Sequence, residues 1–185
     1  MDKQALRKQY LDKRKALSYQ EWQAACDSLF DQVKANKELI GRGPVHIFLP
    51  IEKFKEVDTW PIIRWLWREG IRTMTSLTDI EQGTLSHVWF DDKTHFNTSK
   101  WGIPEPVYTP PADPSLCTVI FVPLLVADKH GNRIGYGKGF YDGFLSSLSE
   151  KTKKVGLSLL PVVEEIHVTE QHDVRLDIVL APKRN

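Results

Sequence analysis

Residues 44–75 read PVHIFLPIEKFKEVDTWPIIRWLWREGIRTMT, and the order of signals in this stretch decides the fold class. Val45–Leu49 is a short apolar run closed by Pro50, too short to fill the turns of a helix and suited to a buried strand. Thr59 can cap a helix that carries Pro61 in its first turn and stops before Gly70. A second apolar run, Ile71–Thr75, follows at once. Strand, helix and strand in this order form a βαβ unit, whose two strands lie parallel in one sheet.

Outward from this unit the alternation continues. Leu85–Phe90, Thr118–Val122, Lys154–Leu159 and Asp177–Leu180 read as further strands, and a helix is expected from about Phe140 to Leu148. Upstream, residues 3–17 have helical composition without Gly or Pro. Ser18 and Glu21 form a capping box that starts a second helix, with Trp22, Cys26, Leu29, Phe30 and Val33 as its apolar stripe and an end near Gly41. The fold expected is α/β, a mainly parallel sheet covered on both faces and formed by the whole chain, 1–185, as one domain. In such sheets ligands sit beyond the carboxyl ends of the strands, which directs attention to the loops after Leu49 and Val122.

Composition narrows the function classes. At 185 residues, 41% hydrophobic and 26% charged, the chain can build a full core without disulfide or metal staples. Cys26 and Cys117 form no CxxC or zinc-ligand spacing and read as small buried hydrophobes in a reducing compartment. No secretory signal or membrane-length apolar run is visible, so a cytoplasmic location is expected. A net charge of +1 argues against a polymer-coating role on nucleic acid or membrane. The first 15 residues nevertheless hold Lys3, Arg7, Lys8, Lys13, Arg14 and Lys15 against Asp2 and Asp12 only. On a helix, Lys3, Arg7 and Arg14 share an arc of about 40°, beside an apolar edge of Leu6, Tyr10 and Leu17.

The sharpest local signal is DKHGNRIGYGKGFYD, residues 128–142. Gly135, Gly137 and Gly139 alternate ahead of the helix, where exposed backbone N–H groups can cradle an anion. Arg133 and Lys138 flank the cradle, and Asp142 stands where a carboxylate can hold a hard cation beside phosphates. The spacing is neither GxxxxGK[ST] nor GxGxxG. On pattern alone the loop is equally a glycine-rich turn with Asp142 complementing the helix dipole.

Arg133-Ile-Gly-Tyr-Gly-Lys-Gly-Phe-Tyr-Asp142, preceded by Asp128-Lys-His-Gly-Asn, resembles the signature of the 5-formyltetrahydrofolate cyclo-ligase family, also called 5,10-methenyltetrahydrofolate synthetases. The resemblance runs along nearly the whole chain through Lys3-x-x-x-Arg7, the FLP run with Glu56-Val-Asp-Thr after it, Trp101-Gly-Ile-Pro-Glu-Pro, Val122-Pro and His172-Asp173. It implies a three-layer α/β/α sandwich. It also implies that ATP and Mg2+ drive closure of 5-formyltetrahydrofolate to 5,10-methenyltetrahydrofolate, with ADP and phosphate released.

By the same resemblance, Lys3 and Arg7 contact ATP together with the loop residues Arg133, Ile134, Gly135, Tyr136, Gly137, Lys138, Gly139, Phe140 and Tyr141. Leu49, Glu56 and Trp101 contact the folate, as do Tyr136, Gly137, Lys138, Gly139 and Phe140. Asp142 and Asp173 match the Mg2+ positions, while His172 reads as a surface or structural histidine. No side chain is assigned as acid, base or nucleophile, and Arg14, Glu105, Asp128 and Asp177 receive no role. Thr73–Gln82 departs from the family pattern by lacking a proline-containing strand end. The partners expected are small molecules acting on a monomer, with no nucleic acid and no membrane. The alternatives are another ATP- or phosphate-using enzyme on the same fold, or a nucleotide-binding regulator with the basic first helix as its contact surface.

Overall fold

The computed structural model describes residues 2–100 and 102–182. The chain opens with α1 (Lys3–Ala16) and α2 (Tyr19–Ala35), followed by a single turn, α3 (Lys37–Ile40), that ends at Gly41. β1 (Val45–His46) runs into an extended segment, a 3₁₀ turn (Glu52–Phe54) and α4 (Trp60–Arg68). Two hairpins follow, β2 (Thr73–Asp79) with β3 (Thr84–Phe90) and β4 (His95–Thr98) with β5 (Pro104–Val107). After a second 3₁₀ turn (Pro114–Leu116) come β6 (Val119–Pro123), the short pair β7 (Val126–Ala127) and β8 (Arg133–Ile134), α5 (Phe140–Ser146), β9 (Lys153–Leu157) and β10 (Ile178–Leu180).

Six strands form one sheet in the order β10-β9-β6-β1-β2-β3, parallel throughout except for the antiparallel β2–β3 pair at one edge. The period-2 alternation of side chains sorts the core into two faces. Val119 and Phe121 of β6 point into a cluster with Leu29, Val33, Ile63 and Leu66 of α2 and α4, whereas Ile120 and Val122 point to Phe144 and Leu145 of α5. Helices on both faces make the three-layer sandwich that the sequence leads one to expect. A third cluster, with Tyr10 of α1 against Leu125, Val126, Ile134 and Ile166, docks the basic helix.

Several local readings hold in detail. Ser18 Oγ accepts from Glu21 N at 3.2 Å and Glu21 Oε2 accepts from Ser18 N at 2.7 Å, the reciprocal bonds of the capping box. Cys26 and Cys117 are free and buried. No helix among the described residues is long and apolar enough to cross a membrane.

Other readings are corrected. Thr59 precedes α4 but does not cap it: its hydroxyl donates to Phe48 O at 2.7 Å, and Asp58 Oδ1 takes the Trp60 N–H instead. Thr59 therefore ties the start of the helix to the segment leaving β1. The strand expected over Ile71–Thr75 begins two residues later and runs to Asp79, because pairing with β3 sustains it past the apolar run. β1 keeps ladder geometry at Val45 and His46 only, while Ile47–Leu49 continue as extended chain. The second helix ends at Ala35 rather than near Gly41, with α3 filling the gap.

Candidate active site

β1 has β2 on one side and β6 on the other, so the strand order switches direction there, and beyond this point lies a cavity of about 650 Å³. That size is in the range of small-molecule sites. Phe48 and Leu49, leaving β1, and Pro123, ending β6, form part of the wall, as do Thr75 and Ser76 of β2. The two loops singled out from the sequence are thus the two that meet here. The glycine loop from Arg133 to Asp142 lines the same cavity, together with Lys3 and Arg7 of α1 and Asp173.

The charged rim is built from long-range contacts. Lys3 Nζ lies 2.8 Å from both carboxylate oxygens of Asp173 and 2.9 Å from Glu170 Oε2. Arg7 Nε donates to Gly135 O at 3.2 Å, and its guanidinium lies close against Gly137. At Gly137 φ is +85°, which favours glycine, and a Cβ there would come within 2.7 Å of Arg7 Cζ and displace the guanidinium. Arg133, nearly enclosed, donates to Asp142 Oδ1 at 2.7 Å and to Val174 O. Burial would raise the Asp173 carboxyl, but the Lys3 ammonium and the Glu170 N–H outweigh it and hold the group below its usual range. For Lys3, burial works against the charge and the two carboxylates prevail, raising its pKa.

The floor carries a buried carboxyl group, Glu56. Glu56 is 4% exposed; its Oε1 accepts from the Tyr136 hydroxyl at 2.5 Å and its Oε2 from Ile51 N at 2.8 Å. Burial pushes its carboxyl up, and Tyr136, Ile51 and the Arg14 charge offset part of that shift. A carboxylate has roughly four acceptor directions. Two are taken, one on each oxygen, and one remains on each. Two free acceptors side by side suit a ligand that offers two adjacent N–H donors. Phe54 packs against Tyr136 at 5.4 Å between ring centroids, and with Phe48, Leu49, Ile103 and Pro123 gives the cavity an apolar surface.

Beneath the β2 wall, Ser76 Oγ bonds His46 Nε2 at 2.9 Å and His87 Nδ1 at 3.2 Å. Burial, reinforced by His87, lowers His46 to about 3, so its ring is neutral near pH 7 and packs with His87 against Phe144.

Of the residues singled out from the sequence, Lys3, Arg7, Leu49, Glu56, the whole run Arg133–Asp142 and Asp173 come together in this cavity. Trp101 lies outside the described residues, although Ile103 and Pro104 nearby do line the wall. Asp142 and Asp173 both face the cavity, but the tightest grouping of metal-capable atoms among the described residues joins Asp173 to Glu170 and His172, within 4.8 Å, and leaves Asp142 out. Glu170 carried no sequence signal beyond its acidity. These carboxylates are hard oxygen donors and fit a divalent cation such as Mg2+, with Lys3 and Arg133 as their present counter-charges.

The unassigned residues also find places. Asp128 clamps its own turn, accepting from His130 N, Asn132 N, Asn132 Nδ2 and Ile166 N; burial would raise it, and these bonds more than reverse that. Asp177 accepts from Lys154 N between β9 and β10, and Glu105 lies on β5 opposite Asn97. Arg14 is buried. Lys53, Phe54, Thr75, Ser76 and Thr78 line the cavity without having been picked out, because a turn and a partly polar strand acquire their inward face only from packing.

The sequence model of the 5-formyltetrahydrofolate cyclo-ligase family matches residues 1–182. The 5-formyltetrahydrofolate cyclo-ligase of Escherichia coli is 28% identical over 177 residues, covering 93% of this chain and 96% of the relative. The enzyme of that name from Mus musculus is 27% identical over 190 residues, covering 96% and 92%. Among solved structures, the Aquifex aeolicus 5,10-methenyltetrahydrofolate synthetase superposes with a TM-score of 0.80 at 28% identity, over 97% of this chain and 89% of that one. The Mycoplasma pneumoniae 5,10-methenyltetrahydrofolate synthetase shares the fold, with a TM-score of 0.76 at 24% identity over 98% and 99%.

Proposed function

The chain belongs to the 5-formyltetrahydrofolate cyclo-ligase family, a family of ligases of folate metabolism, and from that premise we propose that it uses ATP to cyclise 5-formyltetrahydrofolate to 5,10-methenyltetrahydrofolate, as one domain and as a monomer. The observation that carries this reading is that one cavity joins a cation-lined glycine loop to a buried carboxylate with two free acceptor directions.

A formamide is a weak electrophile because its nitrogen donates into the carbonyl. In the proposed reaction the formyl oxygen attacks the γ-phosphorus of ATP and ADP departs, which leaves an N5-iminium carrying phosphate on its former carbonyl oxygen. N10 then attacks that carbon and loses its proton, the C–O bond breaks, and inorganic phosphate leaves the methenyl bridge behind. Such chemistry asks chiefly for positioning and for neutralisation of phosphoryl charge. Lys3, Arg7, Arg133 and Lys138 supply cations on the wall beside Gly135, Gly137 and Gly139, and Ile134, Phe140 and Tyr141 complete that wall. Glu56 accepts the paired N–H groups of the pterin, Leu49 packs on its face, and Tyr136 holds Glu56 from the loop side. Trp101 is proposed as a further folate contact. Asp142 and Asp173, with Glu170 beside the latter, would hold Mg2+, which supplies charge neutralisation on phosphate oxygens when bound.

The test is direct. Purified protein is mixed with 5-formyltetrahydrofolate and MgATP in mildly acidic buffer, and the near-ultraviolet absorbance of the methenyl product is followed. An ATP-dependent rise is expected. A folded protein that gives none sinks the proposal.

A further inference from the structure

Arg14 sits on the same arc of α1 as Lys3 and Arg7 but goes inward where they go to the rim. It is 3% exposed, on the helix that docks through the apolar cluster of Tyr10, Leu125 and Ile134. Its Nη1 donates to Leu124 O at 3.3 Å, its Nη2 donates to the Tyr136 hydroxyl, and its Nε finds no acceptor among the described residues. Among the described residues no carboxylate pairs with it directly; the nearest one in the chain of bonds is Glu56, on the far side of the Tyr136 oxygen. A buried guanidinium with an unmatched N–H is a costly way to fill a core position, and an apolar side chain of similar size generally serves stability as well or better. Packing alone therefore does not account for an arginine here.

The direction of the chain of bonds is forced. A guanidinium has no acceptor, so Arg14 must donate to the Tyr136 oxygen, and the single phenolic proton must then go to Glu56 Oε1. With Ile51 N on Oε2, each oxygen of Glu56 has one protein partner, and the residue lines the cavity. The same bond pins Tyr136 in the glycine loop between two supports, Phe54 on its ring and Arg14 on its oxygen. We infer that Arg14 is a positioning residue for the folate side of the site: it orients the Tyr136 hydroxyl and, through it, holds the Glu56 carboxyl turned to receive the pterin. This rests on the proposed role of Glu56 and adds a residue that does not touch substrate.

Arg14→Met, Tyr136→Phe and the double variant test it, with KM for 5-formyltetrahydrofolate and for ATP measured separately. Each single change should raise the folate KM about tenfold or more, the weight of one hydrogen bond to a charged group, with ATP KM within about twofold. Because Arg14 acts through the hydroxyl that Tyr136→Phe removes, the double variant should be no worse than the poorer single. Multiplying losses, equal rises in both KM values, or a wild-type folate KM in Arg14→Met would overturn the inference.

A pH profile adds a readout that a merely structural role does not move. The groups facing Glu56 are Tyr136 from the glycine loop, Tyr141 from α5 and Arg14 from α1. Without the arginine charge the carboxylate protonates more readily, so the acid limb of the ATP-dependent kcat/KM for folate should shift to higher pH. An unmoved limb would overturn the inference. If Arg14→Met does not fold, Arg14→Lys is read in its place. One ammonium cannot reproduce the two-nitrogen grip on Leu124 O and Tyr136, so a raised folate KM that fails to add to Tyr136→Phe is expected, and a wild-type or additive result overturns it. An inactive wild type would instead defeat the parent reading, which separates the two failures.

Discussion

At the rim of the cavity Lys3 meets Asp173 and Glu170 directly and is partly exposed, whereas at the floor Arg14 and Glu56 are buried and held one hydroxyl apart. Both cations come from one face of α1, four turns of helix or less from each other. Partly exposed pairs contribute little stability, at most about 1 kcal/mol, and exchange partners readily, as the proposed exchange of carboxylate for phosphate oxygens would require. A buried charge costs several kcal/mol to strand, so its partner is fixed, which suits recognition of one hydrogen-bonding edge. The difference teaches that burial, not sequence spacing, sets what each cation of the helix can do.

Substitutions at the two regions should separate accordingly. The largest effect is expected at the floor: Glu56→Gln replaces an acceptor by a donor amide, and kcat/KM for 5-formyltetrahydrofolate should fall by about a hundredfold or more, with ATP KM nearly constant in steady-state assays. A fall of less than about tenfold would erase the contrast between floor and rim. Asp142→Asn comes next, with turnover down by about tenfold and partly restored at high Mg2+, read from rate against Mg2+ concentration. Turnover at the wild-type level would leave Asp142 only its bonds with Arg133 and Val174 N.

Arg7→Ala should raise the ATP KM by up to about tenfold and leave the folate KM within about twofold, since a rim cation shares its task with Lys3, Arg133 and Lys138. Equal effects on both substrates would break the division of labour. The smallest effect concerns stability. The Asp173 carboxyl is held below its usual value, so its contribution is present above the unfolded carboxylate range, near pH 4, and is lost as pH falls through the lower folded value. Asp173→Asn should therefore cost no more than about 1 kcal/mol near pH 7 in denaturant unfolding, a cost that disappears at acid pH.

Much of this site is legible from residue order. The glycine alternation at 135–139 places itself next to a strand end and a helix start, and Lys3 and Arg7 share a helical face by simple angular arithmetic. Glu56 stands out only by resemblance; nothing in KEVDT distinguishes it from Glu52 until Tyr136 and Ile51 close over it. Glu170 and Ser76 were missed for the same reason, because a turn acid and a strand serine become site residues only when α1 or β3 packs against them.

The sequence by itself determined the elements: the βαβ order, the Ser18–Glu21 capping box, the parallel sheet with cover on both faces, and the glycine loop at a strand end. These follow from interactions a few residues long, namely side-chain periodicity, backbone capping and the conformational freedom of glycine. Tertiary structure alone decided which cation meets which anion. Lys3 finds Asp173 across 170 positions and Arg14 finds Tyr136 across 122, and nothing local to either end encodes the meeting. The apolar docking of α1 and the turn of the chain at β1 bring them together, and the depth at which each comes to rest decides whether its charge faces water or the protein interior.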